Sequence, residues 1–186
     1  MGESAFDLAV STVLIHEGGF VDDPDDPGGA TNFGISLRFL EAEGELDFDH
    51  DGFMDGDINF DGVIDVRDIQ AMNREDAIKF YRTRWWDRYG YEELSPMIGP
   101  KVFDLAVNMG ARQAHLCLQR ACRACRYPVT EDGIIGQQTM AASIGPVPPV
   151  LLAALRSEAA GFYRQLVASK PKFDKYLDGW LKRAYA

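Results

Sequence analysis

The segment His16-Glu-Gly-Gly-Phe-Val-Asp-Asp-Pro-Asp-Asp-Pro-Gly-Gly-Ala-Thr-Asn-Phe-Gly-Ile-Ser36 is too polar and too rich in glycine and proline to form part of a hydrophobic core. Glu17 ends an apolar helical pattern, and Asp26 and Thr31 follow within the segment. A glutamate held at a helix end, opposite a loop that carries a carboxylate and a hydroxyl, provides the groups that glycoside hydrolysis uses. The same residues allow a simpler interpretation, in which Glu17 is an ordinary solvated glutamate at the end of a helix.

The net charge of −10 comes from one short part of the chain. Residues 41–68 contain eleven acidic side chains and one basic side chain, whereas the other residues are balanced in charge. A local concentration of acids indicates a bound cation rather than a general need for solubility. The chain has no basic stripe with interleaved aromatic residues, which argues against nucleic acid as a partner.

The second half of this acidic segment matches a calcium-binding loop of the EF-hand type. Oxygen ligands occupy positions 1, 3, 5, 7, 9 and 12 of the loop, and Gly62 supplies the turn at position 6. The last ligand is Asp instead of the usual Glu, as in dockerin-like loops. The predicted ligands are Asp57, Asn59, Asp61, Val63 through its carbonyl, Asp65 and Asp68.

A weaker calcium loop overlaps the first part of that one. Its position 12 is Ile58, which has no ligand atom on its side chain, and the overlap leaves no room for a helix between the loops. We therefore expect one structural Ca²⁺ and leave a second ion open, with a solvated acidic loop as the alternative. The candidate ligands of the second ion are Asp47, Asp49, Asp51, Phe53 through its carbonyl, and Asp55.

Hydrophobic periodicity over the rest of the chain predicts a mainly α fold. Ser36 is expected to cap a helix over residues 37–43, and Asn73 to begin a helix that continues to Gly90. Adjacent tryptophans cannot share one helix face, so one of Trp85 and Trp86 is expected in the core and the other beside a groove. Further helices are predicted at 66–72, 100–109, 111–125, from Gly136, at 150–169 and at 173–185.

Three cysteines fall close together in one predicted helix. An odd number of cysteines does not form a disulfide framework, and Cys122 with Cys125 would make only half of a zinc site. We therefore predict that Cys117, Cys122 and Cys125 are buried free thiols.

The opening segment resembles the N-terminal signature of family 108 glycoside hydrolases, which are lysozyme-like N-acetylmuramidases of bacteria and phages. The resemblance extends over nearly the whole chain except residues 45–68, and the second half is similar to the predicted peptidoglycan-binding region that accompanies the family. The other matching motifs are Ala77-Ile-Lys-Phe-Tyr-Arg82, Trp86-Asp87, Phe103-Asp-Leu-Ala-Val-Asn-Met-Gly110, Leu118-Gln119, Asp132-Gly-Ile-Ile-Gly136 with Thr139, and Gly179-Trp-Leu-Lys-Arg183.

The resemblance implies that Glu17 is the catalytic acid of a Glu-Gly-Gly motif. The order of Glu17, Asp26 and Thr31 is similar to that in phage lysozymes, which implies that Asp26 stabilises the transition state or activates water. Thr31 would then position that water. Three neighbouring acids remain alternatives to Asp26, namely Asp22, Asp23 and Asp25. Substrate contacts are predicted for Asn32, Phe33, Trp85, Trp86 and Asn108.

The implied architecture is a lysozyme-like helical domain with a small irregular or β lobe and a calcium-loop insertion. Residues 1–95 would be the catalytic region, with the insertion at 45–72, and residues 96–186 a helical peptidoglycan-binding region packed with it as one globule. The implied activity is cleavage of the β-1,4 bond between N-acetylmuramic acid and N-acetylglucosamine. A non-catalytic cell-wall-binding protein and a calcium-dependent secretion or interaction protein are the alternatives.

The sequence also carries expectations about where the protein acts. It has no secretory signal and no apolar run of membrane-spanning length, so we expect synthesis in the cytoplasm and no membrane insertion. Peptidoglycan is the expected partner, in the periplasm or outside the cell, and a phage lysin is one source of such a protein. A monomer is expected.

Overall fold

The computed structural model describes residues 4–22, 29–48, 50 and 52–186. These residues are mainly helical, which confirms the predicted fold class, and the sheet that they contain has two strands. The α-helices are α1 (Ala5–His16), α2 (Leu37–Glu43), α3 (Val66–Ala71), α4 (Arg74–Tyr81), α5 (Gly99–Met109), α6 (Ala111–Ala124), α7 (Gln137–Ile144), α8 (Pro148–Ser169) and α9 (Leu177–Tyr185). A π-helix (Arg82–Asp87) and two 3₁₀ helices (Tyr91–Glu93 and Pro171–Tyr176) complete the regular structure described.

The chain divides into two compact units. One is Val10–Arg88, and the other is Tyr89–Ala186 together with the residues up to Ala9. The functional division at residue 95 stays a prediction. No helix among the described residues is long and apolar enough to cross a membrane.

Side-chain caps begin the helices where the sequence predicts them. The Ser36 hydroxyl accepts a hydrogen bond from the Phe39 N–H at the start of α2. The Asn73 side chain accepts hydrogen bonds from two backbone N–H groups of α4, and Asp76 accepts one from the Asn73 N–H. Because such caps satisfy donors that have no partner within the helix, they locate helix starts from local sequence alone.

A tight hairpin follows the segment that contains Glu17. Strand β1 (Thr31–Asn32) pairs antiparallel with β2 (Ile35–Ser36), and Phe33 and Gly34 both have positive φ, at 49° and 79°. Positive φ at both central residues is the conformation of a two-residue hairpin turn whose twist matches that of the strands.

The helix predicted from Asn73 to Gly90 changes form part-way. Helix α4 ends at Tyr81, and the next six residues form the π-helix. Within the π-helix the side chain of Arg84 is fully buried, and its guanidinium lies 2.9 Å from Asp55 and also donates to the Glu43 carbonyl. An unpaired buried charge would be strongly destabilising, so this ion pair helps to hold the irregular turn in place.

Polar side chains are also buried in the unit that contains Tyr89–Ala186. His115 lies 2.9 Å from the Gly133 carbonyl through Nδ1 and 2.8 Å from the Tyr91 hydroxyl through Nε2. Because a carbonyl only accepts, Nδ1 carries the proton and Nε2 accepts from Tyr91. Burial lowers the pKa of His115 below its ordinary value, which favours the neutral ring that this arrangement needs.

A buried ionic group ties α5 to α9 in the same unit. Arg183 Nε donates to Asp104 Oδ1 at 2.9 Å, and Lys101 Nζ lies 3.4 Å from the other carboxylate oxygen. Lys101 also donates to the Arg183 carbonyl. Asp104 thus pairs with two cations, and each buried charged group has a hydrogen-bond partner, as buried charges require.

None of the three cysteines, all of which are described, takes part in a disulfide. Cys117 and Cys122 are buried, and Cys125 is half-buried. Burial raises the pKa of both buried thiols to about 11, which keeps them protonated and unreactive at neutral pH.

Candidate active site

A cavity of about 240 Å³ opens at the end of α1 in the unit Val10–Arg88. Glu17, Val21 and Thr31 line it, together with four glycines of the opening segment. The structure therefore brings two of the three predicted catalytic residues, Glu17 and Thr31, to one cavity. Asp26 lies outside the described residues, as do its competitors Asp23 and Asp25, and Asp22 is exposed.

Glu17 is held in the turn that directly follows α1. Its backbone N–H donates to the Val13 carbonyl at 3.0 Å, which continues the hydrogen bonding of the helix by one residue. The side chain is half-buried and lies against Gly34, where a Cβ atom would come within 2.6 Å of Glu17 Cγ. The glycine thus provides the space that the glutamate side chain occupies.

Thr31 is fixed by backbone pairing. Its N–H and carbonyl both pair with Val21, each at 2.8 Å, so the chain on either side of the cavity is joined by an isolated β-bridge. The Thr31 hydroxyl donates to the Gly29 carbonyl at 3.3 Å. Its lone pairs remain chemically able to accept a hydrogen bond from a water in the cavity.

Tyr81 is a supporting residue that sequence reasoning missed. It is fully buried, and its hydroxyl donates to the Phe33 carbonyl at 2.9 Å. A Cβ atom on Gly34 would also lie 2.6 Å from this hydroxyl. Tyr81 therefore fixes the hairpin turn against which Glu17 rests. The sequence feature that could have identified Tyr81 is its position in the Ala77-Ile-Lys-Phe-Tyr-Arg82 motif.

The residues predicted to contact substrate occupy different surroundings. The Asn32 side chain is buried and donates to the Ile69 and Met72 carbonyls, so its amide joins the hairpin to the end of α3. Trp86 is 1% exposed, and this burial supports a role in core packing. The expectation that one of the two tryptophans lies in the core is thus confirmed.

Trp85 and Phe33 remain at least partly accessible. Trp85 stacks on Phe39 with the ring centroids 4.6 Å apart and also contacts the Tyr81 ring. Phe33 contributes the turn carbonyl that Tyr81 holds. In the other unit, Asn108 accepts a 2.5 Å hydrogen bond from the Tyr163 hydroxyl. Substrate contact by Trp85, Phe33 and Asn108 stays a prediction.

Comparison with known proteins identifies the family. Residues 10–110, which include this cavity, match the profile described as glycosyl hydrolase 108. The chain belongs to glycosyl hydrolase family 108. Residues 113–185 of this family 108 chain match the profile described as a predicted peptidoglycan domain. Together the two matches support a glycoside hydrolase that acts on peptidoglycan.

Among the solved structures similar to the family 108 chain is that of SagA from Brucella abortus, with a TM-score of 0.73 and 26% sequence identity. The match covers 98% of this chain and 91% of that one. No curated protein matches the chain.

The acidic segment of the family 108 chain forms a loop between Asp57 and Asp68 that is held by hydrogen bonds from backbone amides to carboxylates. Asp57 is 4% exposed and accepts hydrogen bonds from the N–H groups of Asp61 and Gly62, at 3.0 and 2.8 Å. Asp68 is fully buried and accepts from the N–H groups of Asn59 and Asp65. Two buried carboxylates whose hydrogen bonds come from backbone amides supply oxygen ligands of the kind that Ca²⁺ prefers, so this loop fits the ion chemically.

The loop also contains a competing ion pair. The Arg67 guanidinium lies 2.6 Å from Asp61 and 2.7 Å from Asp65, and it holds the pKa of Asp65 below its ordinary value. Within the part of the chain that the structure describes, no three His, Cys, Asp or Glu side chains are grouped as a metal site. The calcium assignment to residues 57–68 stays a prediction.

The overlapping first loop does not fit a second ion as well. Asp47 accepts a hydrogen bond from the Gly52 N–H at 3.0 Å, which parallels the bond from Gly62 to Asp57. Asp55, however, is paired with Arg84 and lies 3.3 Å from Lys79, so two cations already balance its charge. Asp49 and Asp51 lie outside the described residues.

Proposed function

We propose that the protein cleaves the β-1,4 bond between N-acetylmuramic acid and N-acetylglucosamine, with Glu17 as the general acid. The observation that carries this proposal is the joint lining of one cavity by Glu17 and Thr31 in a family 108 chain. The peptidoglycan domain match at 113–185 supports the choice of glycan.

The proposed reaction begins with proton transfer from the Glu17 carboxyl to the glycosidic oxygen, which makes the sugar a better leaving group. Asp26 stabilises the positive charge that develops on the other sugar or activates water, and the Thr31 hydroxyl positions that water. Inverting hydrolysis needs the two carboxyls about 6.5–9.5 Å apart, and retaining hydrolysis about 5–5.5 Å. The stereochemistry of the product therefore reports the separation between Glu17 and Asp26.

Incubation with purified sacculi tests the proposed activity. We expect new reducing ends in the supernatant, because hydrolysis of a glycosidic bond frees one anomeric carbon for each cleavage. The alternative protein, which only binds the cell wall, would sediment with the sacculi and release none.

We also propose one structural Ca²⁺ in the loop 57–68. Asp57, Asn59, Asp61, the Val63 carbonyl, Asp65 and Asp68 would hold it. An ion that binds only the folded loop stabilises it by about 2.7 kcal/mol when free calcium is 100 times the dissociation constant. For a chain of this size that corresponds to roughly 5–10 °C in Tm.

Chelation is therefore expected to lower the melting temperature by several degrees and to expose residues 45–68 to proteases. The Asp57→Asn variant should melt at the same temperature with and without calcium, whereas Asp47→Asn, in the overlapping loop, should keep the response. Identical melting curves and protease maps of the unsubstituted protein in calcium and in chelator would contradict the proposed calcium site.

A further inference from the structure

A second cavity lies between the acidic segment and α4, within the unit Val10–Arg88. Its volume is about 250 Å³, and it shares no lining residue with the cavity at Glu17. The catalytic proposal does not use it. Its wall combines exposed aromatic rings with buried and partly buried charges, which is the combination of a site for a ligand with an apolar body and a polar end.

The apolar part of the wall is unusually open to water. Phe53 and Phe60 are 54% and 66% exposed, and their rings meet edge to face with centroids 5.4 Å apart. Ile58, Ala71 and Phe80 continue the apolar lining. A contiguous exposed patch of this kind at the mouth of a cavity is a feature of binding sites, because water solvates it poorly.

The polar part of the wall centres on Asp55. Its side chain is 3% exposed and reaches the cavity, and its Oδ1 atom accepts no hydrogen bond. Lys79 Nζ, on a side chain that is partly exposed, lies 3.3 Å from that oxygen. Asp76 also lines the cavity. A buried carboxylate oxygen without a hydrogen bond is costly, so a donor supplied by a ligand would be favourable there.

We propose that this cavity binds the end of a peptide stem of peptidoglycan, where an ammonium and a carboxylate stand together on an aliphatic arm, as in diaminopimelate. The ligand ammonium takes the place of Lys79 Nζ beside Asp55 Oδ1, with Asp76 adding negative charge. Lys79 Nζ turns to the ligand carboxylate and donates to it, so Asp55 still faces two cations. The aliphatic arm packs on the exposed surfaces of the paired Phe53 and Phe60 rings.

This inference rests on the proposed function, since a protein that acts on the glycan of peptidoglycan also meets the peptide stems attached to it. It adds a contact to the part of the polymer that is not cleaved. The acidic segment would then recognise the peptide while the cavity at Glu17 holds the sugar.

The test measures binding of a synthetic stem tripeptide that ends in meso-diaminopimelate to the full chain in calcium-containing buffer, by titration calorimetry. The matched probe is the same tripeptide with its distal amine acetylated. We expect acetylation to weaken binding by about tenfold, because it removes the charged donor to Asp55. Phe60→Ala and Lys79→Gln are each expected to weaken binding by about fivefold, through lost packing and a lost ion pair.

Leu46→Ala is the control, because Leu46 is exposed in the same segment and does not line the cavity. It should bind the tripeptide like the unsubstituted protein, and so should Glu17→Gln. Equal affinity for the two probes, or binding unaffected by Phe60→Ala, would overturn the inference while sacculus hydrolysis continued. Selective binding by a chain that releases no reducing ends would instead overturn the proposed hydrolysis and support this site.

Discussion

Replacement of Glu17 by Gln is expected to lower the rate of peptidoglycan hydrolysis by about 10²–10⁴-fold, the usual contribution of a general acid. Glutamine has nearly the same shape as glutamate, so it can occupy the space beside Gly34, but it has no carboxyl proton to give to the glycosidic oxygen. The measurement is the initial rate at which a suspension of purified sacculi clears, with the melting temperature recorded for the same preparations.

Glu41→Gln is the matched control for this substitution. Glu41 is an exposed glutamate of α2, and its side chain is not part of the cavity lining described for Glu17. The control should clear sacculi at the rate of the unsubstituted protein, and both variants should melt normally. Full activity in Glu17→Gln would show that another group donates the proton.

Substitution of Gly34 by Ala is expected to reduce both stability and activity. Gly34 has a φ of +79°, and a Cβ atom there would lie 2.6 Å from both Glu17 Cγ and the Tyr81 hydroxyl. Backbone strain and steric overlap each cost about 1–3 kcal/mol, so we expect the free energy of unfolding to fall by roughly 2–4 kcal/mol. Hydrolysis should slow by at least about tenfold, because a displaced acid no longer meets its substrate oxygen.

Gly52→Ala separates the two causes of that loss. Gly52 also has a positive φ, at +92°, but nothing lies within 4 Å of its would-be Cβ atom. It should therefore show the backbone cost of about 1 kcal/mol without loss of hydrolysis. A Tyr81→Phe substitution added to Gly34→Ala should recover part of the stability, because it removes one of the two overlapping groups. Wild-type activity in Gly34→Ala would mean that Glu17 does not work from the position seen here.

Local sequence was enough to predict most helix positions. The caps at Ser36 and Asn73 bind backbone groups two or three residues away, so the adjacent sequence is enough to predict them. The π-helix at Arg82–Asp87 was not predicted. One interaction that holds it is the ion pair between Arg84 and Asp55, whose positions are 29 residues apart, and such a long-range pair leaves no periodic signal.

In the candidate site, too, contacts between residues distant in sequence could not be predicted. Glu17 and Thr31 could be proposed from spacing and family resemblance, and the structure places both on one cavity. The support from Gly34 and Tyr81 depends on a close tertiary approach, which residue type does not reveal. Conversely, Asn32 has a side chain suited to sugar recognition, yet its amide is used within the fold.

The identity of the reducing ends released from purified sacculi, fixed by borohydride reduction before acid hydrolysis, shows which bond the protein cleaves. We expect N-acetylmuramic acid at the new reducing ends, in amounts that rise with time for the unsubstituted protein and stay at background for Glu17→Gln. Reduced N-acetylglucosamine, or equal release by Glu17→Gln, would contradict the proposed muramidase activity.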